Sequence, residues 1–137
     1  MIADQLTNDG WRQHKPKGFT GLIGPLWSRR EEGVLAFGII IGDAHLNPAG
    51  VVHGGLLTTM LDQVVSTVAW EAAERLPCVT VQLDTQFLAG VGTGVFLEAR
   101  SEVVRQTREL IFARGELVVS AARVATGSAV LKILRPG

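Results

Sequence analysis

A chain of 137 residues with 47% hydrophobic and 19% charged residues is long enough to bury a core and too apolar to be disordered. Its 13 Lys and Arg balance 13 Asp and Glu, so neither nucleic acid nor an anionic membrane is an expected partner, and the zero net charge favours a defined oligomer. The single cysteine, Cys78, excludes an internal disulfide and a one-chain thiolate metal site, and fits a reducing compartment. In chain order, residues 1–17 begin with a short helix and turn polar at His14-Lys15-Pro16-Lys17, with Trp11 capping part of a core. This start lacks the basic residues and apolar run of a secretion signal. The longest strongly apolar run, Val34 to Ile41, is far short of a membrane span, and a soluble cytosolic protein is expected. Gly18, Gly21, Gly24 and Pro25 interrupt the next apolar residues. A short strand is predicted near Leu26 to Arg30, then a turn at Glu31-Glu32-Gly33. Val34 to Gly42 is rich in β-branched residues and reads as a largely buried strand.

Asp43 to Val52 forms a loop, with turn chemistry at Asn47-Pro48 and Gly50. It feeds a helix predicted from Gly54 to Arg75, which stops before Pro77. Leu56, Leu57, Met60, Leu61, Val64, Val65, Val68, Ala69 and Ala72 recur as one broad apolar stripe. Asp62 falls roughly 130° from the centre of that stripe, beside Thr58, Thr59 and Ser66.

Beyond Pro77 the period changes to two. From Cys78 to Phe87, Val79, Val81, Leu83 and Phe87 share one face, and Thr80, Gln82, Asp84 and Gln86 the other. Gly90, Gly92 and Gly94 mark a turn or bulge. Val95 to Val104 alternates again, and runs from Glu109 to Ser120 and Arg123 to Leu134 follow, joined near Ala121-Ala122. Two strands, one long helix and four strands forming an antiparallel meander make an α+β fold, its sheet curved around the helix. Residues 1–137 are read as one domain, with 1–18 an N-terminal segment.

Gly54 and Gly55 open the helix, where backbone N–H groups lack intrahelical partners and carry the positive end of the dipole. The pair serves either a tight entry or the close approach of an anion or developing oxyanion. Asp62 lies two turns inside the helix without a helix-spaced basic partner. It is either solvent-facing or held in a polar pocket as base or nucleophile. Eight residues separate Gly54 from Asp62, about 12 Å along the axis, too far to act on one small reacting group. If both are catalytic, they meet across two subunits, in an antiparallel pairing of two such helices about a twofold axis. His53 either binds substrate or buttresses the loop, Asn47 orients a carbonyl or water or holds its own turn, and Thr80 either positions water or needs no role. His14, His45 and His53 show no metal-ligand spacing, and no phosphate loop or serine elbow is present. No metal or other cofactor is expected.

Asn47-x2-Gly50-x2-His53-Gly54-Gly55-x6-Asp62, followed by Thr80 and Gln86-Phe87-Leu88, resembles the hotdog-fold acyl-CoA thioesterases, in particular the phenylacetate-pathway (PaaI-type) branch, over residues 19–134. The resemblance implies a homodimer, often a dimer of dimers, acting on an acyl-CoA substrate. Carried over by position, the Gly54 N–H polarises the thioester carbonyl with help from Asn47, and Asp62 of the other subunit is general base or nucleophile. Thr80 helps position water, and His53 supports the loop or contacts the thioester. Gly55, Leu61 and Val81 are the implied substrate contacts. The proline that often follows the aromatic-Leu pair is replaced by Ala89. No motif identifies the CoA-phosphate ligands, for which Arg100, Arg105 and Arg108 are candidates. The implied activity is hydrolysis to free acid and CoA. The alternative is a non-catalytic acyl-CoA-binding module; a dehydratase would need a differently placed His/acid pair.

Overall fold

The computed structural model describes residues 1–137. Helix α1 (Ile2–Asn8), strand β1 (Arg12–His14) and a 3-10 turn (Phe19–Ile23) precede a hairpin of β2 (Leu26–Glu31) and β3 (Val34–Ile40). A second 3-10 turn (Asp43–His45) and a loop lead into α2 (Gly54–Ala72). Strands β4 (Cys78–Phe87), β5 (Phe96–Gln106), β6 (Leu110–Val119) and β7 (Ala122–Ile133) follow. One antiparallel sheet, ordered β1-β2-β3-β5-β6-β7-β4, wraps the helix in the expected α+β hotdog arrangement. No helix is long and apolar enough to cross a membrane.

The predicted stripe of α2 is the buried one. Leu56, Leu57, Met60, Leu61, Val64, Val65, Val68 and Ala69 are all buried, most of them packed in a core with Ile39, Leu97, Ile111, Leu117 and Leu131 of the sheet. Each large apolar side chain there contributes about 1.5–3 kcal/mol of burial. Two glycines allow the close approach. A Cβ on Gly115 would stand 3.2 Å from both Leu61 Cδ2 and Val65 Cγ1, and one on Gly127 would stand 3.4 Å from Leu61 Cδ1.

The helix ends at Ala72, three residues before the predicted Arg75, in a left-handed turn. Arg75 N–H donates to Trp70 O (2.8 Å) and Glu74 N–H to Glu71 O (3.2 Å), while Glu74 and Arg75 adopt φ of 55° and 66°. This is a Schellman-type closure made without glycine, which is why no sequence signal marked it.

The outer face carries a smaller core of Leu6, Trp11, Trp27 and Ala36 beneath α1. Trp11 meets Phe96 edge-on at 4.9 Å, and the Phe96 ring occupies the space where a side chain at Gly38 would stand. Beside it Glu31 links β2 to β5. Its carboxylate accepts from Arg29 Nε (2.8 Å) and Arg100 Nε (2.6 Å), and Arg100 also donates to Glu98 (2.7 Å). The two guanidinium groups, Arg100 foremost, hold the Glu31 carboxyl at about 2, against a burial cost that acts the other way.

Two topological expectations are corrected. A third strand, β1, precedes the helix, and nothing beyond three polar residues marks it in the sequence. The four strands after the helix do not form one meander: β5, β6 and β7 do, but β4 pairs with β7 at the far edge. Adjacency in sequence argues for β4–β5 pairing, yet the glycine-rich segment between them instead passes the start of α2. There Val52 N–H donates to Val91 O (2.8 Å), and Val91 is buried. As an edge strand, β4 leaves Val79, Val81 and Phe87 exposed, although they read as one apolar face.

Candidate active site

The polar side of α2 faces β4, and a β-bulge sets what β4 presents to it. Pairing with β7 steps from Thr80↔Leu131 to Gln82↔Val130, leaving Val81 without a partner. The extra residue rephases the strand, so Thr80 falls on the helix side together with Leu83 and Phe87. Strict alternation had placed Thr80 on the opposite face from Leu83. With the bulge, Thr80 Oγ1 donates to Asp62 Oδ1 at 2.7 Å, and Ser66 Oγ lies 3.4 Å from Thr80 Oγ1. Asp62 has no salt bridge, so its second oxygen is open to a cleft of about 250 Å³ lined by Phe19, Thr20, Thr58, Thr59, Gln63 and Leu83. The Thr58 and Thr59 hydroxyls are used locally, donating to Gly54 O (2.9 Å) and Gly55 O (2.8 Å).

The other end of the helix is built by His53. Its Nδ1 accepts the Gly55 N–H at 2.8 Å, making His53 the N-cap and leaving the ring's other nitrogen to carry its proton. That cap explains Gly55, since a Cβ there would stand 2.9 Å from His53 Nδ1. Gly54 answers to a different neighbour: the Phe87 ring of β4 lies 3.3 Å from where its Cβ would be. The Gly54 N–H meets no acceptor within the chain, whereas the Gly55, Leu56 and Leu57 N–H groups all do. A single free, dipole-aligned donor therefore remains at the helix start.

Asn47 holds its own turn. Its Oδ1 accepts from Ala49 N–H (2.9 Å) and Val51 N–H (3.3 Å), which leaves the side-chain amide free to donate. His45, at the head of the same loop, accepts from Gly42 N–H through Nδ1 (2.9 Å) and meets Ile23 O through Nε2 (2.6 Å). Of the implied substrate contacts, Gly55 is exposed at the helix start and Val81 is exposed at the bulge. Leu61 is fully buried over Gly115 and Gly127, beneath the site rather than in the cleft. Arg100 is held by Glu31 and Glu98 on the outer face, while Arg105 and Arg108 are exposed where β5 meets β6. No group of three or more His, Cys, Asp or Glu is placed to hold a metal.

The Gly54 N–H thus stands at the start of α2 and Asp62, with Thr80, at its middle, eight residues and about 12 Å further along the axis. Phe19 and Thr20 were missed. They lie some forty residues before Asp62, and no motif couples them to it.

The thioesterase superfamily model matches residues 49–125, which include the whole of α2 and β4. The Pseudomonas aeruginosa protein named Putative esterase PA0474 is 30% identical over 114 residues, 82% of this chain and 85% of that protein. Acyl-coenzyme A thioesterase 13 of Mus musculus is 30% identical over 78 residues, 56% of this chain and 55% of that one. Among solved structures, a mutant of the phenylacetic acid degradation protein PaaI from Thermus thermophilus superposes with a TM-score of 0.74 at 23% identity, over 85% of this chain and 98% of that one. A hypothetical thioesterase with coenzyme A from Streptococcus pneumoniae does so with a TM-score of 0.74 at 19% identity, over 89% and 95%. The chain belongs to the thioesterase superfamily, and by that membership it is a thioester hydrolase.

Proposed function

We propose that this chain hydrolyses an acyl- or aryl-acyl-CoA thioester to the free acid and CoA in sites shared between two copies. The observation that carries the reading is the Thr80–Asp62 hydrogen bond at 2.7 Å, on a carboxylate otherwise open to a cleft. Thr80 fixes one carboxylate oxygen, and the other accepts a proton from water. The hydroxide so formed adds to the thioester carbonyl carbon. The carbonyl oxygen, now negative, is received by the Gly54 N–H of the other copy with help from the Asn47 side-chain amide. Collapse of the tetrahedral intermediate breaks the C–S bond, and the thiolate of CoA takes the proton from Asp62. The proton count closes and Asp62 returns to its starting form. The outward nitrogen of His53 can donate to the thioester region. The relative named as an acyl-coenzyme A thioesterase and the coenzyme A bound to a structural neighbour support CoA as the carrier.

The shared site follows from β4. Its free edge and exposed Val79, Val81 and Phe87 suit pairing with the same strand of a second copy. Thr80 and Asp62 lie near one end of β4, and Phe87 over Gly54 lies near the other. A twofold axis through the middle of β4 therefore brings each Asp62 towards the other copy's Gly54. Such dimers pair further into a dimer of dimers.

Asp62→Asn keeps the shape and the Thr80 bond but cannot take a proton. Turnover of a panel of acyl-CoAs, followed by thiol release, is expected to fall about 10²–10⁴-fold with the circular dichroism spectrum unchanged. Wild-type turnover by Asp62→Asn would overturn the assignment.

A further inference from the structure

We infer that Phe19, together with Leu83, selects the acyl group, favouring an apolar acyl chain or aryl-acyl group over acetyl. This deepens the hydrolase reading of the Asp62 cleft and rests on it. The cleft is polar but for two residues: Phe19, from the 3-10 turn before β2, and Leu83 of β4. The threonine hydroxyls beside Asp62 already donate to backbone oxygens, and Phe19 and Leu83 supply the cleft's apolar contact. The space of about 250 Å³ holds several water-sized groups and leaves room well beyond an acetyl group. That accommodates an acyl chain.

Phe19 does not reach this position by belonging to the core. It is 67% exposed, and its turn is held by polar bonds and glycine geometry. Gly18 and Gly24 bracket it at φ of 75° and 100°, and Gly21 lies against Pro16 O where no Cβ fits. His45 Nε2 donates to Ile23 O at 2.6 Å, and Thr20 Oγ1 donates to Gln63 Oε1 at 3.5 Å, next to Asp62 in sequence. Three glycines and a histidine thus hold a five-residue turn whose aromatic ring lines the carboxylate's cleft rather than the interior. Hydrophobic pockets discriminate added methylenes by about 10–200-fold, enough for this wall to set preference.

The test compares acetyl-, hexanoyl-, phenylacetyl- and palmitoyl-CoA on the full chain. Affinities are measured by calorimetry in Asp62→Asn, with and without Phe19→Ala, and kcat/KM is measured in the wild-type background. Phe19→Ala is expected to lower the hexanoyl-over-acetyl and phenylacetyl-over-acetyl ratios about tenfold, in affinity and through KM. Phe19→Leu is expected to restore part of each ratio. Equal losses for every acyl group, or unchanged ratios, would overturn the assignment. So would a changed oligomeric state in Phe19→Ala, which would make the ring a subunit contact. The hydrolase reading fails on its own if the wild type turns over none of these thioesters, and the affinity ratios then still decide the role of Phe19.

Discussion

Asp62 receives one hydrogen bond from a side chain on another element, and that donor, Thr80, is itself aimed by a bulge. Hydrogen bonds to charged groups contribute about 1.5–3 kcal/mol. Thr80→Val, nearly the same shape without the hydroxyl, is expected to lower kcat about 10–100-fold while Thr80→Ser retains most of it; steady-state kinetics on one acyl-CoA checks both. Retention of full activity by Thr80→Val would remove Thr80 from the site. At this scale the sequence was readable in part. Asp62, Gly54, His53 and Thr80 stand out because residue types and spacing are local. The facing of Thr80 was not readable, because strand alternation cannot reveal one unpaired residue at Val81. The two glycines also had a hidden distinction: Gly55 makes room for the His53 cap and Gly54 lies under Phe87.

Elements were legible where one period persisted. The α2 stripe is legible from Leu56 to Ala69, since helical packing needs only its own sequence to declare a face; Ala72, at the last turn, is only half-buried. Its end was not, because the closing left-handed residues are Glu74 and Arg75 rather than glycine. The join between β2 and β5 through Glu31 depends on pairing across β3 and has no sequence signature. It has a pH signature instead. The Glu31 carboxyl is lowered to about 2 in the fold from an ordinary 4.5, so it binds protons less readily folded than unfolded. Its contribution is present above pH 4.5 and is lost as pH falls from there towards 2. With the partners' side chains about 30% exposed, solvent screening leaves a contribution of about 1–2 kcal/mol. Urea midpoints measured from about pH 6 to 2 should fall less steeply through this window in Glu31→Gln than in the wild type. Parallel curves would mean the pair adds nothing measurable.

The whole molecule makes the strongest claim, since no single copy is expected to hold a complete site. Gly54→Pro offers a probe, with Gly54→Ala as the control for the 3.3 Å approach of any Cβ there to the Phe87 ring. Proline is well accepted at the first helical position, and His53 at ψ 134° already has the extended backbone that a following proline demands. The substitution removes the free N–H and should lower kcat about 10²–10³-fold, as for other lost oxyanion donors. Chains carrying Gly54→Pro and chains carrying Asp62→Asn, unfolded together and refolded, should regain about a quarter of wild-type activity. Half of the dimers are then mixed, and one of the two sites in each has both groups intact. Refolded mixtures no more active than either variant alone would place both groups on one chain or remove one from catalysis.

Strand order also governs when such a site can exist. Thr80 is held opposite Leu131 of β7, about fifty residues later, and β4 has no other neighbour in its own sheet. During synthesis at about 5–20 residues per second, the helix bearing Asp62 emerges seconds before the strand that fixes Thr80 beside it. The nascent chain therefore carries its acid without its orienting hydroxyl, and its unpaired β4 edge waits for β7 before it can present a partner-ready face. In the proposed shared site, completion of β7 is what couples folding to both catalysis and assembly.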